Sequence, residues 1–119
     1  MWKFFFVLFF SVANFVGEQA AAMGRHIVTS GVETQVHYHN GNTYPIDEAT
    51  RFKITRGPAN GTARIAVMNQ TSSSGKPTRV ALVFYKSKPG FVGADSFSYE
   101  RINRDGSGRN FTLSVGVVP

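Results

Sequence analysis

Seven short runs along this chain have the pattern of β-strands, and in most of them apolar and polar residues alternate; none repeats at the 3.6-residue spacing of a helix. In the last run, Phe111, Leu113 and Val115 alternate with small or polar residues. Such alternation is typical of a strand with one buried face. The pattern predicts strands at 25–29, 34–39, 51–55, 62–68, 78–85, 95–102 and 110–118.

Turn-forming residues separate these runs. Asn60-Gly61 predicts a tight hairpin between the third and fourth strands, because Gly and Asn accept the positive φ of such turns. The polar stretch 70–77 predicts a long flexible loop, and the doubly apolar run 78–85 predicts a central strand. Seven short strands joined by turns indicate an all-β sandwich, with a small Greek-key barrel as the alternative.

The first 22 residues have the pattern of a secretory signal peptide. Lys3 precedes an apolar stretch at 4–16, and Ala20-Ala21-Ala22 fits a signal-peptidase site. We therefore predict a signal peptide at 1–22 and one domain at 23–119, with no transmembrane segment after cleavage. The predicted location is secreted, periplasmic or on the cell surface.

The chain has a formal net charge of +6 and no cysteine. A basic exported domain attracts anionic partners, so we predict an acidic polysaccharide or another envelope component and no specific nucleic acid. Outward-facing cations on several strands are the candidate anion-binding residues: Arg51, Lys53, Arg64 and Arg79. The alternative is that these charges only keep the protein soluble or protect strand edges.

The segment 84–99 organises the predicted fold. Pro89-Gly90 makes the chain turn, Phe91 then enters the core, and Gly93 allows a second bend. The short carboxylate of Asp95 is suited to accepting hydrogen bonds from loop N–H groups. Phe97 and Tyr99 follow as inward-facing residues of the next strand.

This segment, with the turn 57–62 before it and Asp105-Gly106-Ser107-Gly108 after it, resembles the bacterial immunoglobulin-like, cadherin-like domains over about residues 50–118. The resemblance implies an immunoglobulin-like Greek-key β-sandwich and a spacer, adhesion or binding role on bacterial surfaces. It assigns structural roles to Tyr85, Pro89, Gly90, Phe91, Gly93, Asp95, Phe97 and Tyr99. The chain differs from that family in carrying one copy, in its basic outward positions, and in having Ser87 where a Pro is frequent.

No catalytic motif is present in the sequence, so we predict no catalytic residues, no enzyme activity and no cofactor. His37 and His39 are predicted to face solvent, opposite Val36 and Tyr38. A metal site at this pair is a weaker alternative, because it needs a third ligand. A further alternative is assembly by strand pairing through 78–85 or 110–118.

Overall fold

The computed structural model describes residues 25–119, which form seven strands and no helix. The strands are β1 (Arg25–Thr29), β2 (Thr34–Asn40), β3 (Arg51–Arg56), β4 (Gly61–Thr71), β5 (Pro77–Ser87), β6 (Gly93–Ile102) and β7 (Gly108–Val118). All seven predicted strands are therefore confirmed. The predicted signal peptide at 1–22 lies outside the described residues, and within them no helix is long and apolar enough to span a membrane.

The strands form two sheets, with the orders β1-β7-β6-β3 and β2-β5-β4. The groups β2-β5-β4 and β7-β6-β3 match the B-E-D and G-F-C groups of an immunoglobulin sandwich, and β1 pairs with β7 in parallel. No strand of the described part belongs to both sheets, so the sandwich is not closed into a barrel. The immunoglobulin-like sandwich is confirmed, and the barrel alternative is wrong.

An aromatic core lies between the two sheets. Tyr85, Phe97 and Tyr99 are fully buried, with Tyr85 and Phe97 ring centroids 6.2 Å apart. Tyr99 in turn stacks on Phe111 at 5.1 Å, and the half-buried Phe91 packs on the same cluster. The predicted inward direction of these aromatics is confirmed. These aromatic rings pack together with buried valines and Leu113 in one hydrophobic core.

The turn segment also holds the two sheets together. Gly90 and Gly93 have φ values of 85° and 140°, which side-chain-bearing residues rarely adopt. Asp95 is buried, and its carboxylate accepts backbone N–H groups of Ala59 and Asn60, each at 3.0 Å. This confirms the predicted role of Asp95.

Two predicted connections are wrong. Residues 57–60 do not form a hairpin, because β3 pairs with β6 and β4 pairs with β5, so this segment crosses between sheets. The alternation predicts which face of a strand is buried but not which sheet the strand joins. The predicted long loop 70–77 is a short hairpin closed by the Ser72 N–H, which donates to the Lys76 carbonyl at 2.9 Å. The strands extend into the polar residues because both continue to pair there.

The predicted direction of the two histidines is also wrong. The register of β2 on β5 shifts between Gln35 and His37, which leaves Val36 as an extra residue in a β-bulge. After Val36, the positions whose side chains face the core and those whose side chains face solvent are therefore exchanged. Tyr38 is consequently 40% exposed, whereas His37 and His39 are half-buried on the side of Val36.

Candidate functional site

A cleft of about 630 Å³ opens at one end of the sandwich. Its walls come from β2, the connection 41–50, the end of β6, the 103–107 turn and the start of β7. We call it the arginine cleft. Its members used below are His37, His39, Tyr44, Asp47, Arg101, Arg104, Asp105, Arg109 and Phe111.

Arg101 forms the deep polar part of the arginine cleft and is only 9% exposed. Its Nε donates to Asn103 Oδ1 at 2.9 Å, and its terminal nitrogens donate to the carbonyls of Tyr44 and Pro45. All of these acceptors are neutral. Arg101 therefore fixes the 44–45 loop, but its positive charge has no carboxylate partner in the described part of the chain.

Arg109 lies directly opposite Arg101 in the antiparallel pairing of β6 and β7. Its guanidinium carbon is 5.6 Å from the centroid of the Phe111 ring. Like charges at opposed positions of two strands destabilise the pair. Within residues 25–119, no carboxylate forms a salt bridge with either arginine. The two side chains thus concentrate positive charge that an anion would neutralise.

His39 lies against the aromatic end of the core, beside the two arginines. Its ring centroid is 4.9 Å from that of Phe111, and its Nε2 is 2.7 Å from the Tyr99 hydroxyl. Burial lowers the pKa of His39 to about 4, with further contributions from His37, Arg101 and Arg109. His39 is therefore neutral at physiological pH. The positive charges of Arg101 and Arg109, which disfavour protonation of His39, also favour the binding of an anion in the cleft.

His37 is the second imidazole of the arginine cleft, and its ring centroid lies 4.9 Å from that of His39. Burial, with a smaller effect of His26, lowers the pKa of His37. The described residues contain no group of three or more His, Asp or Glu side chains positioned to hold a metal ion. The histidine pair therefore lacks the third ligand that the metal alternative requires.

The acidic residues at the mouth of the arginine cleft are occupied by other contacts. Asp47 accepts from Arg104 Nε at 3.2 Å and caps the backbone N–H groups of Ala49 and Thr50. Asp105 accepts from the backbone and hydroxyl of Ser107. The hydrogen bond from the Ala49 N–H is the main cause that lowers the pKa of Asp47. The hydrogen bonds from Ser107 lower the pKa of Asp105. Both carboxylates are therefore ionised at neutral pH, and neither bonds to Arg101 or Arg109.

The four cations predicted as candidate anion-binding residues are divided between the two sheets. Arg51 and Lys53 are exposed on β3 in the four-stranded sheet, whereas Arg64 and Arg79 lie on β4 and β5 in the other sheet. They do not form one stripe because β3 lies in one sheet, whereas β4 and β5 lie in the other.

Arg64 is also engaged within its own sheet. It pairs with Glu33 at 2.8 Å and lies 4.2 Å above the Phe84 ring. Arg79 is half-buried, and its Nε has no hydrogen-bond partner among the described residues.

None of the four predicted anion-binding residues lines the arginine cleft. The signal that identifies Arg101 and Arg109 is their symmetry about Asp105, since a hairpin centred on that residue places them opposite each other. The sequence predicts His37 and His39 on the solvent side of β2, whereas the bulge at Val36 places both beside the arginine cleft.

No family model matches the chain, and no curated protein matches it. Two solved structures match this chain over most of its length. The solution structure of amebosin is 12% identical, with a TM-score of 0.48, over 79% of this chain and 88% of amebosin. The crystal structure of the cysteine protease inhibitor EhICP2 from Entamoeba histolytica is 17% identical, with a TM-score of 0.35, over 79% of this chain and 96% of that one.

Proposed function

We propose that this protein is an exported, non-enzymatic binding module that recognises an anionic ligand in the arginine cleft. The observation that carries the proposal is the opposed pair Arg101 and Arg109, which has no carboxylate partner in the described residues. Burying a guanidinium without an opposite charge is costly, and an oxyanion held between the two side chains offsets that cost.

The ligand class we favour is an acidic polysaccharide of the cell envelope. Guanidinium groups bind carboxylate and sulfate groups in a bidentate manner. Phe111 and the exposed Tyr44 supply apolar surface beside the charges. The cleft volume of about 630 Å³ lies within the usual range of small-ligand sites. A cleft of this size holds a short segment of a polysaccharide chain. The net charge of +6 adds a long-range attraction toward such a polymer.

The test compares two variants that remove the same charge from different places. Arg109→Gln changes the arginine cleft, and Arg51→Gln changes an exposed position on β3. Binding of the 23–119 domain to polygalacturonate, to dextran sulfate and to neutral dextran is measured at increasing salt. We expect Arg109→Gln to weaken binding to one acidic polymer about tenfold at physiological salt, and Arg51→Gln to change it less than about twofold.

Equal losses in the two variants, with binding that disappears as salt rises, would mean that only the overall charge attracts the polymer. That result would contradict a site in the arginine cleft.

A further inference from the structure

The described sandwich has four edge strands, β1 and β3 in one sheet and β2 and β4 in the other. The two runs predicted to pair with another chain, 78–85 and 110–118, lie within β5 and β7. Each of these strands already has a neighbour on both sides, so neither accepts a further strand. The strands with one unpaired edge are instead β1, β2, β3 and β4.

Three of the four edges carry features that discourage pairing. β1 has five residues. β2 and β3 each contain a register shift, next to Val36 and Thr55 respectively. β3 also presents exposed cations at Arg51, Lys53 and Arg56. Short length, bulges and charge are the usual protections of a sheet edge.

β4 is neither short nor bulged, and it carries only one charged residue. It is eleven residues long, contains no proline, and pairs with β5 without a register shift from Gly61 to Thr71. Its single charged residue, Arg64, is held across the sheet by Glu33. Val67 and Met68 are 38% and 42% exposed. A long, regular and weakly charged edge is a template for another strand.

We propose that two copies of this protein pair antiparallel through β4, with the two-fold axis at Ala66, to form a continuous six-stranded sheet. In that register Arg64 lies opposite Met68, and Ile65 lies opposite Val67, each contact occurring twice by symmetry. No like charges face each other, and β-branched residues pair directly. The strand is self-complementary in this register, which favours a second copy over an unrelated strand.

This interface is separate from the arginine cleft, which no residue of β4 lines. The two proposals therefore fail or succeed independently.

The absence of cysteine allows a direct test of the two-fold position. Opposed Cα atoms in an antiparallel pair are about 4.5–5.5 Å apart, within the range that a disulfide spans. We expect Ala66→Cys to form a disulfide-linked dimer under mild oxidation, resolved on a non-reducing gel. Val92→Cys, at an exposed turn position, is the control and stays largely monomeric. Cross-linking of Ala66→Cys no faster than the control would overturn the proposal.

A charge test at Met68 checks the register without cysteine. Met68→Arg places a cation opposite Arg64 twice, whereas Met68→Glu places an anion there. Sedimentation of the wild type should show a mass that rises with concentration. Met68→Arg should raise the dimer dissociation constant about tenfold or more, and Met68→Glu should leave it unchanged or lower it. A wild type that stays monomeric at about millimolar concentration, or equal effects of the two variants, would contradict the proposal.

Discussion

The hydroxyl of Tyr85 donates a hydrogen bond of 2.8 Å to Asp95 Oδ2 within the core of the sandwich. Tyr85 lies on β5 and Asp95 on β6, so this bond joins the two sheets. The same carboxylate accepts the backbone N–H groups of Ala59 and Asn60. Burial and the bond to Asp95 raise the pKa of Tyr85 well above its ordinary value, so the hydroxyl remains a donor at all physiological pH values.

We predict that Asp95→Ala lowers the free energy of unfolding by about 3 kcal/mol, because it leaves a buried hydroxyl and two loop N–H groups without an acceptor. Tyr85→Phe should cost about 1.5 kcal/mol. Asp105→Ala, at an exposed turn, is the control and should cost less than about 1 kcal/mol. Urea unfolding of the three variants measures these differences. An Asp95→Ala loss no larger than the control loss would contradict this role.

Gly61 is expected to tolerate no side chain. A Cβ there would overlap the Lys86 carbonyl oxygen and lie 2.9 Å from the Ser87 Cα, both backbone atoms of the paired strand. We predict that Gly61→Ala costs about 2 kcal/mol or more. Gly57→Ala, where a Cβ meets no atom within 4 Å, should change stability by less than about 0.5 kcal/mol. Equal thermal midpoints of the two variants would show that β4 shifts freely away from β5.

The buried histidine predicts a pH dependence of stability. The pKa of His39 is about 4 in the folded protein, against an ordinary value of 6.5. Between these values the unfolded chain binds more protons than the folded one, so stability is complete above pH 6.5 and falls as the pH decreases toward 4. Three neighbouring groups oppose protonation of the His39 ring: Arg101 on β6, Arg109 on β7 and His37 on β2. The Nε2 of His39 forms a hydrogen bond with the Tyr99 hydroxyl.

We therefore expect His39→Gln to melt with a weaker pH dependence than the wild type over that interval. Melting temperatures of both proteins, recorded in matched buffers, give the comparison. Parallel pH profiles would mean that His39 titrates normally in the folded state.

The alternation of residues predicts most of the strands and the core because most of the strands pack one face against the opposite sheet. It does not predict the bulge at Val36. The bulge reverses which side chains of β2 face inward, but the residues of β2 alternate in the same way with or without it. The sheet that each strand joins depends on contacts distant in sequence. For this reason Arg51 and Arg64, both outward by pattern, were predicted together although they lie on different sheets. The arginine cleft was missed because its walls come mostly from loops and strand ends.

An NMR titration shows whether an anionic ligand binds in the arginine cleft, because it locates the bound ligand on the domain. Assigned backbone amide signals of the 23–119 domain are followed while a galacturonate trisaccharide is added at physiological salt, with a neutral galactose trisaccharide as control. We predict saturable shifts at residues 37–39, 44–47 and 101–111, which surround the cleft, and none with the neutral sugar. Shifts confined to the outer face around Arg51 and Lys53, or no saturation at any position, would contradict binding in the arginine cleft.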